Sequence, residues 1–186
     1  MFKRTIVTSI TAAVLLLSAP LNAEETAAKT PAAQQVLKPK VFEFTDTAGK
    51  KIEILVSEQG IKLLNFEDKN AILIFYINSG TPCRNELQLF TKLKPELKNL
   101  EFVTFELKGL KPDQLKAFEK ELKLKDLHMI DTAQAMPFAQ FIARLIKWPG
   151  SVPLIIAVTK KGEVKHMQLG AMKEDEIKKL AEALDQ

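Results

Sequence analysis

The residue type best suited to chemistry occurs once in this chain, as Cys83 in Asn78-Ser-Gly-Thr-Pro-Cys-Arg84. Disulfide exchange needs a thiolate to attack sulfur and a second thiol to release the mixed disulfide. With one cysteine that internal cycle cannot run, so Cys83 can exchange only if another molecule resolves the product. Its setting pulls two ways. Gly80 falls near the cap of a helix and Cys83 in the first turn, where unpaired N–H groups and the positive helix end favour a thiolate. The third position after a cap faces inward, and apolar burial raises a thiol pKa. Cys83 is therefore either an activated thiol or a sealed, inert one. Arg84 either lowers the thiol pKa or decorates the helix surface.

Other chemistries find little support. His128 and His166 would join Cys83 from three separate elements without the short spacing of a metal site, so no metal and no cofactor is expected. Met129, Met136, Met167 and Met172 are dispersed and read as packing residues. No Ser-His-Asp set, phosphate-cradling glycine loop or paired-carboxylate arrangement stands out.

The elements that must position Cys83 follow from periodicity. Val41–Phe44 and Lys51–Val56 alternate about an Asp46-Thr-Ala-Gly49 turn, which predicts a hairpin. Ala71–Ile77 is a continuous apolar run, the pattern of a strand buried on both faces. A helical stripe of Leu87, Phe90, Leu93 and Leu97 follows, with Pro95 ending or kinking it. Glu101–Leu107 predicts the next strand, and Asp113 a cap for a helix carrying Leu115, Phe118 and Leu122. A short strand near Leu127–Ile130 precedes a helix with Phe138, Phe141, Ile142 and Leu145. Trp148-Pro-Gly-Ser-Val-Pro153 is a loop, and Leu154–Val158 with Glu163–Leu169 forms a hairpin. The last helix carries Ile177, Leu180, Ala181 and Leu184. The right-handed crossover preference places strands 71–77 and 101–107 side by side and parallel.

The 186 residues suit one domain, and 46% hydrophobic with 27% charged residues excludes a wholly disordered chain. Met1-Phe-Lys-Arg4, an apolar run from Ile6 to Leu17 and the small residues before Ala23 have the form of a secretory signal peptide over 1–23. The run is short for a membrane span, and no later stretch is long enough to be one. Removal takes away Lys3 and Arg4, lowering the formal charge from +4 to +2. Lysines are interspersed with glutamates, so no nucleic-acid partner is expected. Residues 24–38, rich in Ala, Gln and Thr, read as a flexible linker before a domain over 39–186.

Phe75-Tyr-Ile-Asn-Ser-Gly-Thr-Pro-Cys-Arg-Asn-Glu86 resembles the Phe-Trp-Ala-x-Trp-Cys-x-Pro-Cys-Arg-x-Glu segment of TlpA/ResA-like exported thioredoxins. Phe44–Lys50 resembles that family's opening strand and turn, Val152-Pro153 its cis-proline loop, and Lys160–Val164 with Gly170 its closing hairpin. The resemblance spans about residues 39–186. It departs where Gly80 occupies the place of the first, attacking cysteine, Ile74 that of thioredoxin's buried aspartate, and Ser79 that of the tryptophan before the motif. Cys83 falls on the resolving cysteine.

The resemblance implies an α/β protein with a thioredoxin-like fold: a central mixed β-sheet, helices on both faces and an N-terminal β-hairpin. It further implies protein thiols or disulfides as partners, and the signal peptide implies export to the periplasm. With Gly80 in place of the first cysteine, Cys83 is the expected catalytic residue, and Gly80, Thr81, Pro82, Trp148, Val152 and Pro153 are expected around the substrate. Pro153 is otherwise a plain strand-start proline, and Trp148 either lines the groove or fills the core. Two functions are compatible with these residues. One is thiol-disulfide exchange through mixed disulfides at Cys83, with a Cys83-linked dimer as one possible product. The other is a redox-inert module that holds a peptide or protein in the cis-proline groove. Exposure of the Cys83 sulfur favours the first, burial the second.

Overall fold

The computed structural model describes residues 37–186; the expected signal peptide and nearly all of the expected linker lie outside them. Strands β1 (Lys40–Thr45), β2 (Lys51–Ser57) and β3 (Gly60–Leu63) form an antiparallel sheet in that order. Alternation buries Phe42, Phe44, Ile52, Ile54, Val56, Ile61 and Leu63 on one face. The sequence predicts two of these strands. The third was hidden because Gly60–Leu63 is only four residues long, too few for alternation to register. Gly60 has φ +124°, and a Cβ there would stand 2.1 Å from the Gly162 carbonyl oxygen. That close approach lets Ile61 N–H donate to the same oxygen at 2.8 Å, joining the small sheet to the closing hairpin.

The larger sheet runs β6 (His128–Ile130), β5 (Leu100–Glu106), β4 (Asn70–Tyr76), β7 (Leu154–Val158), β8 (Val164–Leu169). β4 is parallel to β5 and antiparallel to β7, and β5 is parallel to β6, so the sheet is mixed. Every residue of β4 is buried. Ala71, Leu73 and Phe75 join one core with the small sheet and helix α3 (Thr132–Ile146). Ile72, Ile74 and Tyr76 join a second core with α1 (Thr81–Leu93), α2 (Pro112–Leu122) and α4 (Glu174–Leu184). Each fully buried large apolar side chain contributes about 1.5–3 kcal/mol.

Helix α1 ends at Leu93 with Lys94 as its C-cap, just before Pro95. The cap of α2 is Lys111, not Asp113, whose carboxylate lies in the first turn. Pro112 sets this start, because it lacks an N–H and its φ is already helical. The Gln114 side chain then accepts from the Lys111 N–H at 3.0 Å.

Candidate functional site around Gly80 and Cys83

β4 delivers the chain to a tight turn, Ile77–Gly80, from which α1 starts. Gly80 is the N-cap with φ −86° and ψ 120° and offers no side chain to the helix end. Arg84 N–H donates to its carbonyl at 3.0 Å, and Pro82 fits the first turn. Two long side chains fix the turn from outside. Lys108 Nζ donates to Ser79 Oγ at 2.8 Å, and Arg84 Nη1 reaches the Asn78 carbonyl at 3.4 Å. Arg84 also pairs with Glu121 and lies over the Phe118 ring at 5.3 Å. Its role is to brace α1 against α2. The loop after β5 is held by Glu106, which is fully buried and accepts from Lys108 N–H, Leu110 N–H and Thr132 Oγ1.

Cys83 is 2% exposed and packs in the core that contains Ile74, Tyr76, Leu87 and Met172. Burial pushes its thiol above the ordinary value; a backbone hydrogen bond at Ile77 offsets part of this, and the nearby Glu86 adds to it. A Cβ on Gly80 would lie 3.5 Å from Cys83 Sγ and 3.4 Å from Ile77 Cγ1, so the turn has room for a side chain beside the sulfur. Thr81 and Pro82 are exposed at the rim.

Glu86 is the site residue that composition and spacing did not single out. It sits one turn after Cys83 and is 2% exposed, and both its carboxylate oxygens accept from a single donor, Met172 N–H, at 2.9 and 3.1 Å. Burial pushes its carboxyl to about 7, with Glu176 adding to the rise and the Met172 N–H opposing it. The usable signal was an acid at the i+3 position of a helix whose next inward residues are Leu87 and Phe90.

The Val152–Pro153 peptide bond is cis, and Pro153 is buried. Its carbonyl accepts Gly170 N–H at 2.8 Å, which joins the loop to the end of β8. Val152 is half-buried and packs against both cores. Trp148 belongs to the α3 core, on Phe75 at 5.4 Å between ring centres, while Cys83 belongs to the other. The structure thus brings Gly80, Cys83 and Glu86 together and places Trp148 across the sheet from the sulfur. The indole is 8% exposed, with Nε1–H bonded to the Ser151 carbonyl at 2.8 Å, and its edge borders a hollow of ≈ 250 Å³ lined by Leu107, Met136 and Gly150.

His128 lies in a separate polar cluster. Its Nδ1 is 2.8 Å from Asp46 Oδ2 and its Nε2 is 3.4 Å from Glu101 Oε2, which also accepts from Lys94 Nζ at 3.0 Å. This arrangement ties the β1–β2 turn to the central sheet. His166 is part-buried on β8 beside Gln168. No group of three or more His, Cys, Asp or Glu with metal-holding geometry occurs among the described residues.

No protein-family model matches the chain, and a search among curated proteins finds no similar sequence. Solved structures do match. StoA from Bacillus subtilis superposes with a TM-score of 0.57 at 19% identity, covering 77% of this chain and 98% of its own. The pneumococcal exposed lipoprotein thioredoxin from Streptococcus pneumoniae gives 0.59 at 18% identity, covering 78% and 100%. A thiol:disulfide interchange protein of the thioredoxin family from Chlorobium tepidum gives 0.61 at 15%, covering 80% and 95%. The fold is thioredoxin-like, and the solved structures similar to it include a secreted disulfide oxidoreductase and a thiol:disulfide interchange protein.

Proposed function

We propose that this protein is an exported, periplasmic thioredoxin-fold module that holds an extended protein segment in the groove beside Gly80, Val152 and Pro153, with Cys83 as a sealed thiol. The observation that carries this reading is the 2% exposure of Cys83, with burial and Glu86 both opposing its thiolate. Gly80 supplies no second thiol. Main-chain groups of Val152 pair with the segment, as in strand addition. The thiol:disulfide interchange proteins among the similar structures support a protein as the kind of partner.

The test is the rate of Cys83 alkylation by iodoacetamide against pH, in folded and denatured protein. A sealed thiol gives a folded rate suppressed by about a hundredfold or more relative to the denatured one. A folded rate equal to the denatured one, with a midpoint below about 8.5, overturns the reading.

The room beside the sulfur favours a second reading. In it the protein takes part in thiol-disulfide exchange or redox homeostasis. When the turn opens, the Cys83 thiolate attacks a protein disulfide, forming a mixed disulfide and releasing one of its two thiols. Attack on that mixed disulfide by the Cys83 thiolate of a second copy releases the other protein thiol and leaves a Cys83-linked dimer. Gly80→Cys separates the readings further. On a scaffold that keeps the geometry of an exchange site, the variant reduces a model protein disulfide in the presence of dithiothreitol, and the parent does not. Absence of any gain counts against a retained site.

A further inference from the structure

We propose that the free edge of β8 is a second interaction surface, independent of the groove beside Gly80, which takes an extended polypeptide segment with an apolar centre and acidic flanks. β8 is the last strand of the five-stranded sheet, and no other described strand pairs with its outer side. Edge strands expose unpaired N–H and C=O groups and are ordinarily blunted by charge, proline or a bulge. Here the shielding covers only the first half. A register irregularity falls at Ala157/Val158, opposite Val164, and Lys165 follows it. His166–Leu169 then pair in regular register with Leu154–Ala157, leaving their outer edge straight.

That straight half carries apolar side chains into solvent. Met167 is 44% and Leu169 53% exposed, on the same face of the sheet as Leu154 and Ile156. Beside them opens a hollow of ≈ 250 Å³ floored by Ile146, Trp148 and Leu154. A strand added along β8 would set alternate side chains next to Met167 and Leu169 and over this hollow.

Charge selects the occupant. From residue 144 to residue 169 the chain has five basic residues, Arg144, Lys147, Lys160, Lys161 and Lys165, and one acid, Glu163, which is paired with Lys165 at 2.7 Å. Lys160 and Lys161 stand at the turn that opens β8, and Lys147 lines the hollow at its close. The edge therefore has cations at both ends and apolar side chains between them. A second copy of this chain would bring like charges together at both ends, and a lipid surface makes no use of a strand ladder. A foreign segment with acids at its ends satisfies both features.

The probe is a fluorescein-labelled peptide, Glu-Glu-Val-Thr-Val-Thr-Val-Glu-Glu, titrated by anisotropy at low salt. A form with lysine in place of every glutamate is the control, and vesicles of phosphatidylglycerol are a second. The proposal expects saturable binding, weakened about tenfold or more by the Met167→Glu, Leu169→Glu double substitution and by the lysine-flanked form. It also expects slowed amide exchange within His166–Leu169 and no change with Gly80→Gln, which plugs the other groove. Absence of binding, equal binding of the two peptides, or binding retained by the double variant overturns it. Loss with Gly80→Gln alone reassigns the peptide to the Pro153 groove. Binding to vesicles without binding to peptide, or slowed exchange at β8 through self-association without peptide, also overturns it. Both altered side chains are exposed, so the fold is preserved, and an unchanged melting temperature verifies this.

Discussion

Two carboxylates, the buried Glu86 on α1 and the half-buried Glu101 at the start of β5, behave in opposite ways. Glu86, beside Cys83, has one N–H for both its oxygens, and burial lifts it to about 7. For Glu101, at the other end of β5, burial alone would also raise the carboxyl. His128 and Lys94 overcome that and hold it below its ordinary value. The same side chain is a proton-exchanging group in one place and a fixed anion in the other, and the number and charge of its partners make the difference. The carboxylate beside the sulfur has a single N–H donor and no cation, whereas Glu101, in the region that ties the small sheet to the large one, has Lys94 and His128 beside it.

The most damaging way to probe this contrast is within the paired region. Asp46 accepts from Ala48 N–H, Lys50 N–H and His128, and its side chain is 2% exposed. Asp46→Ala leaves those donors without a partner and is expected to cost about 3 kcal/mol or more in chemical denaturation. A cost below about 1 kcal/mol would mean that the small sheet does not depend on this clamp.

The pH profile gives the next largest effect. The folded Glu86 carboxyl is raised, so the native state binds more protons than the unfolded one between about 4.5 and about 7. Stability from this group is therefore greatest below that window and falls as pH rises through it, by at most about 3 kcal/mol at 1.36 kcal/mol per unit. Glu101 has the opposite sign: its contribution is present above its unfolded value and is lost as pH falls through its lowered one. Together these two groups place a maximum at about pH 4.5, where the two windows meet. Urea midpoints from pH 3 to 8 test this, with Glu86→Gln removing the fall on the alkaline side and Glu101→Gln the fall on the acid side.

A smaller effect links Glu86 to the thiol. Glu86→Gln removes a negative charge that raises Cys83, so alkylation at pH 8 is expected to quicken by about two- to fivefold, within the range of one pKa unit. An unchanged rate would show that burial alone protects the sulfur. Smallest of all is Arg84→Ala. Its pair with Glu121 is largely exposed on the Glu121 side, and a loss of under about 1 kcal/mol is expected.

The sequence by itself settled the layered α/β architecture and the order of every element except β3. Continuous apolar runs in Ala71–Ile77 and Leu154–Val158, and helical stripes such as Leu87, Phe90 and Leu93, leave one layered arrangement that buries them all. It also settled that one thiol stands at the start of α1 with glycine three residues before it. Local signals carried these features because periodicity depends on neighbours in the chain. The tertiary structure decided the rest. It turned Cys83 inward and put Glu86 under a single backbone donor from Met172, 86 residues away. It set Trp148 in the core across the sheet from the sulfur and left the outer edge of β8 unpaired among the described residues. Burial and the number of hydrogen-bond partners are properties of segments that meet only on folding, so no window of sequence contains them.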